Sequence, residues 1–271
     1  MIPHPLPPRV PIRGFIFDLD GTVFLSDRAI PGAVETIAEL RRRGLPIVFI
    51  SNNSLELPGA YAAKLTCLGI PARADDVITS GRVLSKYLAR AAPGARVFVI
   101  GEPPLREEMR QAGLHLTEEP REIEYVVAAF DRTFDYYKWN IAFQALKFHG
   151  AHFYATNGDR TCPVEGGELP DCAGVIAALE ATTGRTVELI AGKPSPMMIE
   201  YGVARLGVPA SECLVTGDRL ETDMVMGRHA GARTALVLTG VTRRDMLAAA
   251  PAPPDDVLES IAGVLGLLDH T

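Results

Sequence analysis

Short apolar runs alternate with longer amphipathic stretches along the whole chain. Gly14-Phe15-Ile16-Phe17 leads straight into Asp18-Leu19-Asp20, and Pro46 to Ile50 leads into Ser51-Asn52-Asn53. Unbroken apolarity over four to six residues predicts a strand buried on both faces. Between these two runs, Pro31 opens and Gly44 closes a helical pattern, with proline first and glycine last. Val187 to Ala191, Cys213 to Thr216 and Thr234 to Leu238 are further strands, each beside a helical stretch. The alternation predicts an α/β fold with a mostly parallel sheet. Ligands of such sheets bind beyond the carboxyl ends of the strands, where the polar residues stand here.

The middle of the chain carries its own α/β pattern. Arg96 to Ile100, Ile123 to Ala129 and His152 to Ala155 read as strands. Arg82 to Ala91, Pro104 to Ala112, Tyr136 to Phe148 and Asp171 to Thr183 read as helices. A core of residues 1–80 and 190–271, interrupted by an inserted domain over 81–189, accounts for this arrangement. Hinges are expected near Thr79 to Gly81 and at Ala191-Gly192. Val257 to Leu268 reads as an amphipathic helix on the core, and Met1 to Pro11, with five prolines, as an extended lead-in.

Composition narrows the function classes. The chain has 271 residues, 47% hydrophobic and 22% charged, as an ordinary globular protein does. No apolar run approaches the ~18 residues of a membrane span, and the proline-rich start has no secretory apolar core. With 27 basic against 33 acidic residues the net charge is −6, which argues against nucleic-acid or anionic-membrane partners. Arg41-Arg42-Arg43 closes the helix before Gly44, where cations suit the negative end of its dipole. Cys67, Cys162, Cys172 and Cys213 form no C-x-x-C pair, so buried or partly buried reduced thiols in a cytoplasmic protein are expected. The six histidines show no metal-ligand spacing.

Four segments carry chemistry. In Asp18-Leu19-Asp20-Gly21-Thr22 two carboxylates sit at i and i+2 on a strand end, and Gly21 permits a sharp turn. One aspartate suits a nucleophile and the other a general acid and base, although the same string also suits a turn or a helix cap. Ser51-Asn52-Asn53 offers a hydroxyl, a backbone N–H and amides to phosphate oxygens, and equally an N-cap for the next helix. Lys193, in Ala191-Gly192-Lys193-Pro194-Ser195, places an ammonium between a strand and a helix. It is not a P-loop lysine, because Val187 stands where that motif needs glycine. Finally, Asp218 and Asp223 lie five apart across a glycine turn. Hard oxygens from Asp18, Asp20 and Asp218 suit Mg²⁺, while Asp223 supports the metal or Lys193, or stands as a first-turn helix acid.

Together these segments resemble the four motifs of the haloacid dehalogenase superfamily, in the family's order and over nearly the whole chain. Pro31-Gly32-Ala33, the Ala191 to Ser195 string and the Thr216 to Asp223 string are similar to its NagD-like, p-nitrophenylphosphatase branch. So are Phe130-Asp131-Arg132 and Thr156-Asn157-Gly158-Asp159 within the insert. The resemblance implies a Rossmann-like core with a large α/β cap, Mg²⁺ dependence and hydrolysis of small phosphate monoesters. It makes Asp18 the nucleophile and Asp20 the acid/base. The metal falls to Asp18, the Asp20 carbonyl and Asp218, and phosphate to Ser51, Asn52, Asn53 and Lys193. Asp131, Arg132, Asn157 and Asp159 become candidates for leaving-group selection, with turn and cap roles as their plainer use. A homodimer through the cap is also implied. Gly166-Gly167 stands where relatives carry a larger polar side chain, so no particular substrate is implied. A phospho-aspartate signalling module, or a metabolite-binding module on the same scaffold, is the alternative.

Overall fold

The computed structural model describes residues 10–164 and 166–268. The chain divides into two compact units: residues up to Val48 with those from Gly202 onward, and residues Phe49–Tyr201. Most of the expected lead-in, together with His4 and His270, lies outside the described residues.

In the first unit, parallel strands run in the order Asp256–Leu258, Arg233–Val237, Cys213–Gly217 and Gly14–Asp18. Phe15 N–H then bonds to the carbonyl of Pro46, just before the strand Ile47–Ser51 that runs across the division. All five residues of Gly14–Asp18 and of Cys213–Gly217 are buried, which explains why neither strand alternates in polarity. Phe17 pairs with Thr216, so Asp18 ends its strand abreast of Gly217. Helix Ala33–Arg42 turns Ala33, Thr36, Ile37 and Leu40 inward, a spacing of three and four that makes one apolar stripe. Arg42 and Arg43 reach back to Glu39 on its exposed face.

The end of the chain departs from the expected helix. Asp256–Leu258 is an edge strand, and Ile261–Leu267 forms 3₁₀ turns behind a Ser260 cap. The apolar spacing from Val257 to Leu268 fits a helix, but Gly263 and Gly266 each weaken one by about 1 kcal/mol. Pairing Val257 and Leu258 beside Leu236 and Val237 wins instead. Cys67 is exposed rather than buried or partly buried, on the outer face of helix Pro58–Cys67.

The second unit has a parallel five-stranded sheet in the order Leu189–Ile190, His152–Ala155, Tyr125–Ala128, Arg96–Ile100 and His115–Leu116. Its core gathers Phe98, Ile100, Val126, Phe153, Ile141, Leu146, Ile176 and Leu179 between that sheet and the helices Tyr136–Phe148 and Cys172–Thr183. Thr161–Val164 and Gly167–Pro170 pair as a hairpin, with Gly166 in its turn at φ +83°. Among the described residues no helix is long and apolar enough to cross a membrane.

Glu108 is largely buried in this unit, with Arg82 Nε 3.9 Å from its carboxylate. Burial pushes its carboxyl up to about 7, against the smaller opposing pull of Arg82 and Lys86. The folded protein therefore holds a proton there that the unfolded chain releases near its ordinary 4.5. Stability from this group is present below that value and is lost as pH rises through about 7. Glu108→Gln is expected to stabilise the protein at pH 8 by about 1–3 kcal/mol and to change little at pH 4.5. Urea unfolding at both pH values checks this, and equal shifts at the two would refute it.

Candidate active site

Three acids from distant parts of the sequence meet in the first unit. Asp18, Asp218 and Asp223 are buried, and each offers a carboxylate oxygen such that all three atoms lie within 4.8 Å of one another. Asp18 arrives as the last residue of its strand, and Asp218 directly follows the neighbouring strand Cys213–Gly217. Asp223 returns from the π-helical turn Leu220–Met224, where its carboxylate accepts from Arg219 N–H at 3.2 Å. Three anionic oxygens this close repel one another and favour a cation among them. Hard oxygen donors in a buried cluster fit a small divalent ion such as Mg²⁺. Asp20 supplies no side-chain oxygen to this trio. Its residue is half-buried, in the turn where Gly21 N–H bonds to the carbonyl of Phe24.

A loop that carries no ionisable group holds the cluster in place. Val241 N–H donates to Asp218 Oδ2 at 2.7 Å, Thr242 N–H donates to the Asp218 carbonyl, and Thr239 Oγ1 donates to the Gly21 carbonyl at 2.6 Å. Gly21 (φ +84°) and Gly240 flank the Asp218 carboxylate so closely that a Cβ on either would collide with it. Gly217 has the same relation to Asp223. Sequence reasoning missed Thr239, Gly240 and Val241. The one available signal was the Thr-Gly pair at the end of an apolar run, the placement shared by Thr216-Gly217.

The second unit brings Ser51, Asn52, Asn53 and Lys193 together. Strand Ile47–Ser51 ends at Ser51, whose Oγ accepts from Asn53 N–H at 3.1 Å. Asn53 Oδ1 accepts from Leu55 N–H, completing a local turn. These residues do not cap the following helix, since Pro58–Cys67 starts behind Leu57. Asn52 clasps the main chain of Lys193: its Oδ1 accepts from Lys193 N–H at 2.7 Å, and its Nδ2 donates to the Lys193 carbonyl at 3.1 Å. Lys193 itself is only 4% exposed.

The four residues of the insert take different places. Asp131 is buried and accepts from Thr133 and from Lys138 Nζ at 2.7 Å, which makes it the anchor of its own loop. Arg132 is exposed and grips Glu102 with both Nε and Nη2, holding that carboxyl below its ordinary range. Asn157 is fully buried and donates to Asp159 and Asp171, while its Oδ1 accepts from Thr156. Asp159 accepts from Asn157 and, at 2.7 Å, from Asn52.

Comparison with known proteins matches this arrangement to a family. Residues 15–115 fit a model of haloacid dehalogenase-like hydrolases, and residues 190–264 fit a related HAD-hydrolase-like model. The chain is 38% identical over 257 residues to the sugar-phosphatase AraL of Bacillus subtilis, covering 95% of this chain and 93% of that protein. A 4-nitrophenylphosphatase from Thermotoga maritima superposes with a TM-score of 0.90 at 35% identity, over 95% of this chain and 97% of the other. NagD of Escherichia coli K-12 matches with a TM-score of 0.84 at 29% identity, over 93% and 98%. Glycerol phosphate phosphatase Rv1692 of Mycobacterium tuberculosis, solved with magnesium, matches with 0.84 at 33% identity, over 92% and 75%. The chain belongs to the haloacid dehalogenase-like hydrolases, within their NagD-like branch of phosphoric monoester hydrolases.

Proposed function

We propose that this chain is a Mg²⁺-dependent phosphatase of small phosphate monoesters, sugar phosphates foremost, working through an aspartyl-phosphate. The buried trio of Asp18, Asp218 and Asp223 is the observation that carries this reading. The match to a sugar-phosphatase and to a glycerol phosphate phosphatase solved with magnesium supports it.

In this reading Asp18 attacks phosphorus in line, forming an Asp18 O–P bond as the ester P–O bond breaks. Asp20 gives its proton to the departing alcohol, then takes one from the water that hydrolyses the acyl phosphate. Ser51, Asn53, Lys193 and the main-chain N–H of Asn52 bind the phosphate oxygens. Asp18, the Asp20 carbonyl and Asp218 hold the metal, and Asp223 supports it. When bound, Mg²⁺ supplies charge that offsets the repulsion between a carboxylate and a phosphate dianion.

Residues 81–189 serve as the cap, and Arg132, exposed on it, shapes the approach of the leaving group. Tyr136, Tyr137 and Phe148 are exposed on the helix Tyr136–Phe148 and support a homodimer through that cap. The four free cysteines support a cytoplasmic location.

A screen of sugar phosphates, nucleotides, phosphoglycolate, pyridoxal phosphate and p-nitrophenyl phosphate, with and without Mg²⁺, tests the reading. EDTA should abolish phosphate release, and Mg²⁺ should restore it. Mg²⁺ at a hundredfold excess over its Kd adds about 2.7 kcal/mol of stability by mass action, enough to raise Tm by about 5 °C. Asp218→Asn should lose most of that rise. Equal Tm with EDTA and with Mg²⁺ would show that the trio binds no metal.

A further inference from the structure

We infer that Asp159 is a positioning residue for phosphate binding: through Asn52 it fixes the main chain of Lys193. This inference rests on the phosphatase reading above and assigns Asp159 a part in it other than leaving-group contact.

The amide of Asn52 has two N–H donors and one carbonyl acceptor, and the structure uses all three. One N–H goes to Asp159 Oδ2 at 2.7 Å and one to the Lys193 carbonyl at 3.1 Å, while the oxygen takes Lys193 N–H at 2.7 Å. Lys193 is thus held at both polar atoms of its backbone by a single side chain. With its donors spent, that side chain has none left for a phosphate. Only one of the three partners is charged, and charge-assisted hydrogen bonds are the stronger kind. Asp159 therefore sets the rotation of the amide, which an uncharged acceptor would fix less firmly.

Asp159 is itself braced from behind. Its Oδ2 also accepts from Asn157 Nδ2 at 2.9 Å, and Asn157 Nδ2 donates in turn to Asp171 Oδ1 at 3.0 Å. Asp171 caps helix Cys172–Thr183 through Cys172 N–H. A line of hydrogen bonds runs from a helix end through Asp171, Asn157, Asp159 and Asn52 to Lys193. Gly192 shows how tightly the three loops close. A Cβ there would lie 2.6 Å from both Asn52 Oδ1 and the Thr156 carbonyl, which already accepts Gly192 N–H at 2.7 Å. A residue acting this way affects every substrate alike, since all share the phosphate.

The test compares Asp159→Ala with the wild type on p-nitrophenyl phosphate and glycerol phosphate, with inorganic phosphate as competitive inhibitor. Loss of a charge-assisted bond predicts a fall in kcat/KM of about 10- to 100-fold, the same for both esters. The Ki of inorganic phosphate should rise alongside it. Amide exchange at Lys193 should quicken by about tenfold or more, while that of Gly14–Asp18 stays unchanged. Asp159→Asn, which keeps an oxygen acceptor but not its charge, should recover only part of both losses. Asn52→Ala should reproduce them, and the double variant should add little to either single one. If Asp159→Ala does not fold, Asp159→Glu carries the same test, because it keeps the charge but displaces the oxygen.

A loss confined to one ester with phosphate Ki unchanged would place Asp159 at the leaving group and overturn the inference. Unchanged exchange at Lys193 would do so too. A wild type that neither hydrolyses an ester nor binds phosphate would sink the phosphatase reading instead, and the exchange data would still decide the clasp.

Discussion

Asp18→Asn is expected to lower kcat on p-nitrophenyl phosphate by at least about 10⁴-fold, because an amide cannot form the acyl phosphate. Size and shape are kept, and the strand that presents residue 18 is buried throughout its length. Far-UV circular dichroism and a cooperative melt should therefore match the wild type. Quenching the wild type during turnover of labelled substrate should trap a hydroxylamine-labile phosphoryl group, and Asp18→Asn should trap none. Asp20→Asn provides the contrast. A nitrophenolate leaves without needing a proton, so this variant should still become phosphorylated and then stall, for want of a base to activate water. Labelled protein should accumulate in it. Near-native turnover by Asp18→Asn would end the nucleophile assignment, while label retained in that variant would move it to another residue. A stable acyl phosphate without turnover in the wild type would favour the signalling alternative.

The positions of these acids were legible because their strands are buried on both faces. Such strands write themselves as apolar strings, and a string that stops abruptly at an acid marks its own carboxyl end. Gly14 to Asp18 and Cys213 to Asp218 both read this way, and the Phe17–Thr216 register then sets their acids side by side. Asp223 was harder to place, since four residues of turn separate it from Asp218 and an acid in a helix's first turn has an ordinary use.

What holds the acids was not legible. Val241 contributes a backbone N–H, and Gly240 contributes the absence of a side chain; neither leaves a mark in residue chemistry. The insert shows the opposite difficulty. Asp131 and Arg132 look like substrate ligands by residue type, yet the structure commits them to Lys138 and Glu102. A partner seven residues away is open to guessing, but one thirty residues away depends on tertiary packing.

Gly240→Ala should be among the most damaging single-methyl changes in the protein. Nothing in its backbone conformation demands glycine, as it is absent from the residues with positive φ. The demand comes from Asp218, whose Oδ2 and Cγ occupy the space a Cβ would need. The carboxylate has no easy retreat: Asp218 is 1% exposed, Val241 N–H holds the same oxygen, and Gly21 closes the other side. Either the side chain swings away and leaves Val241 unpartnered, or the Thr239–Thr242 loop shifts and releases Gly21. Overpacking of this kind costs about 1–3 kcal/mol, a fall in Tm of about 2–5 °C at this chain length. Misplacing a ligand should cost more in function than in stability: about 100-fold in Mg²⁺ affinity, with kcat/KM falling in step at limiting metal. Gly174→Ala is the control, in a helix with nothing within 4 Å of the added methyl, and should be neutral or slightly stabilising. Calorimetric titration of Mg²⁺ into both variants separates the cases. If Gly240→Ala binds the ion as the wild type does, Asp218 is not a ligand, and the trio must be read as a structural cluster.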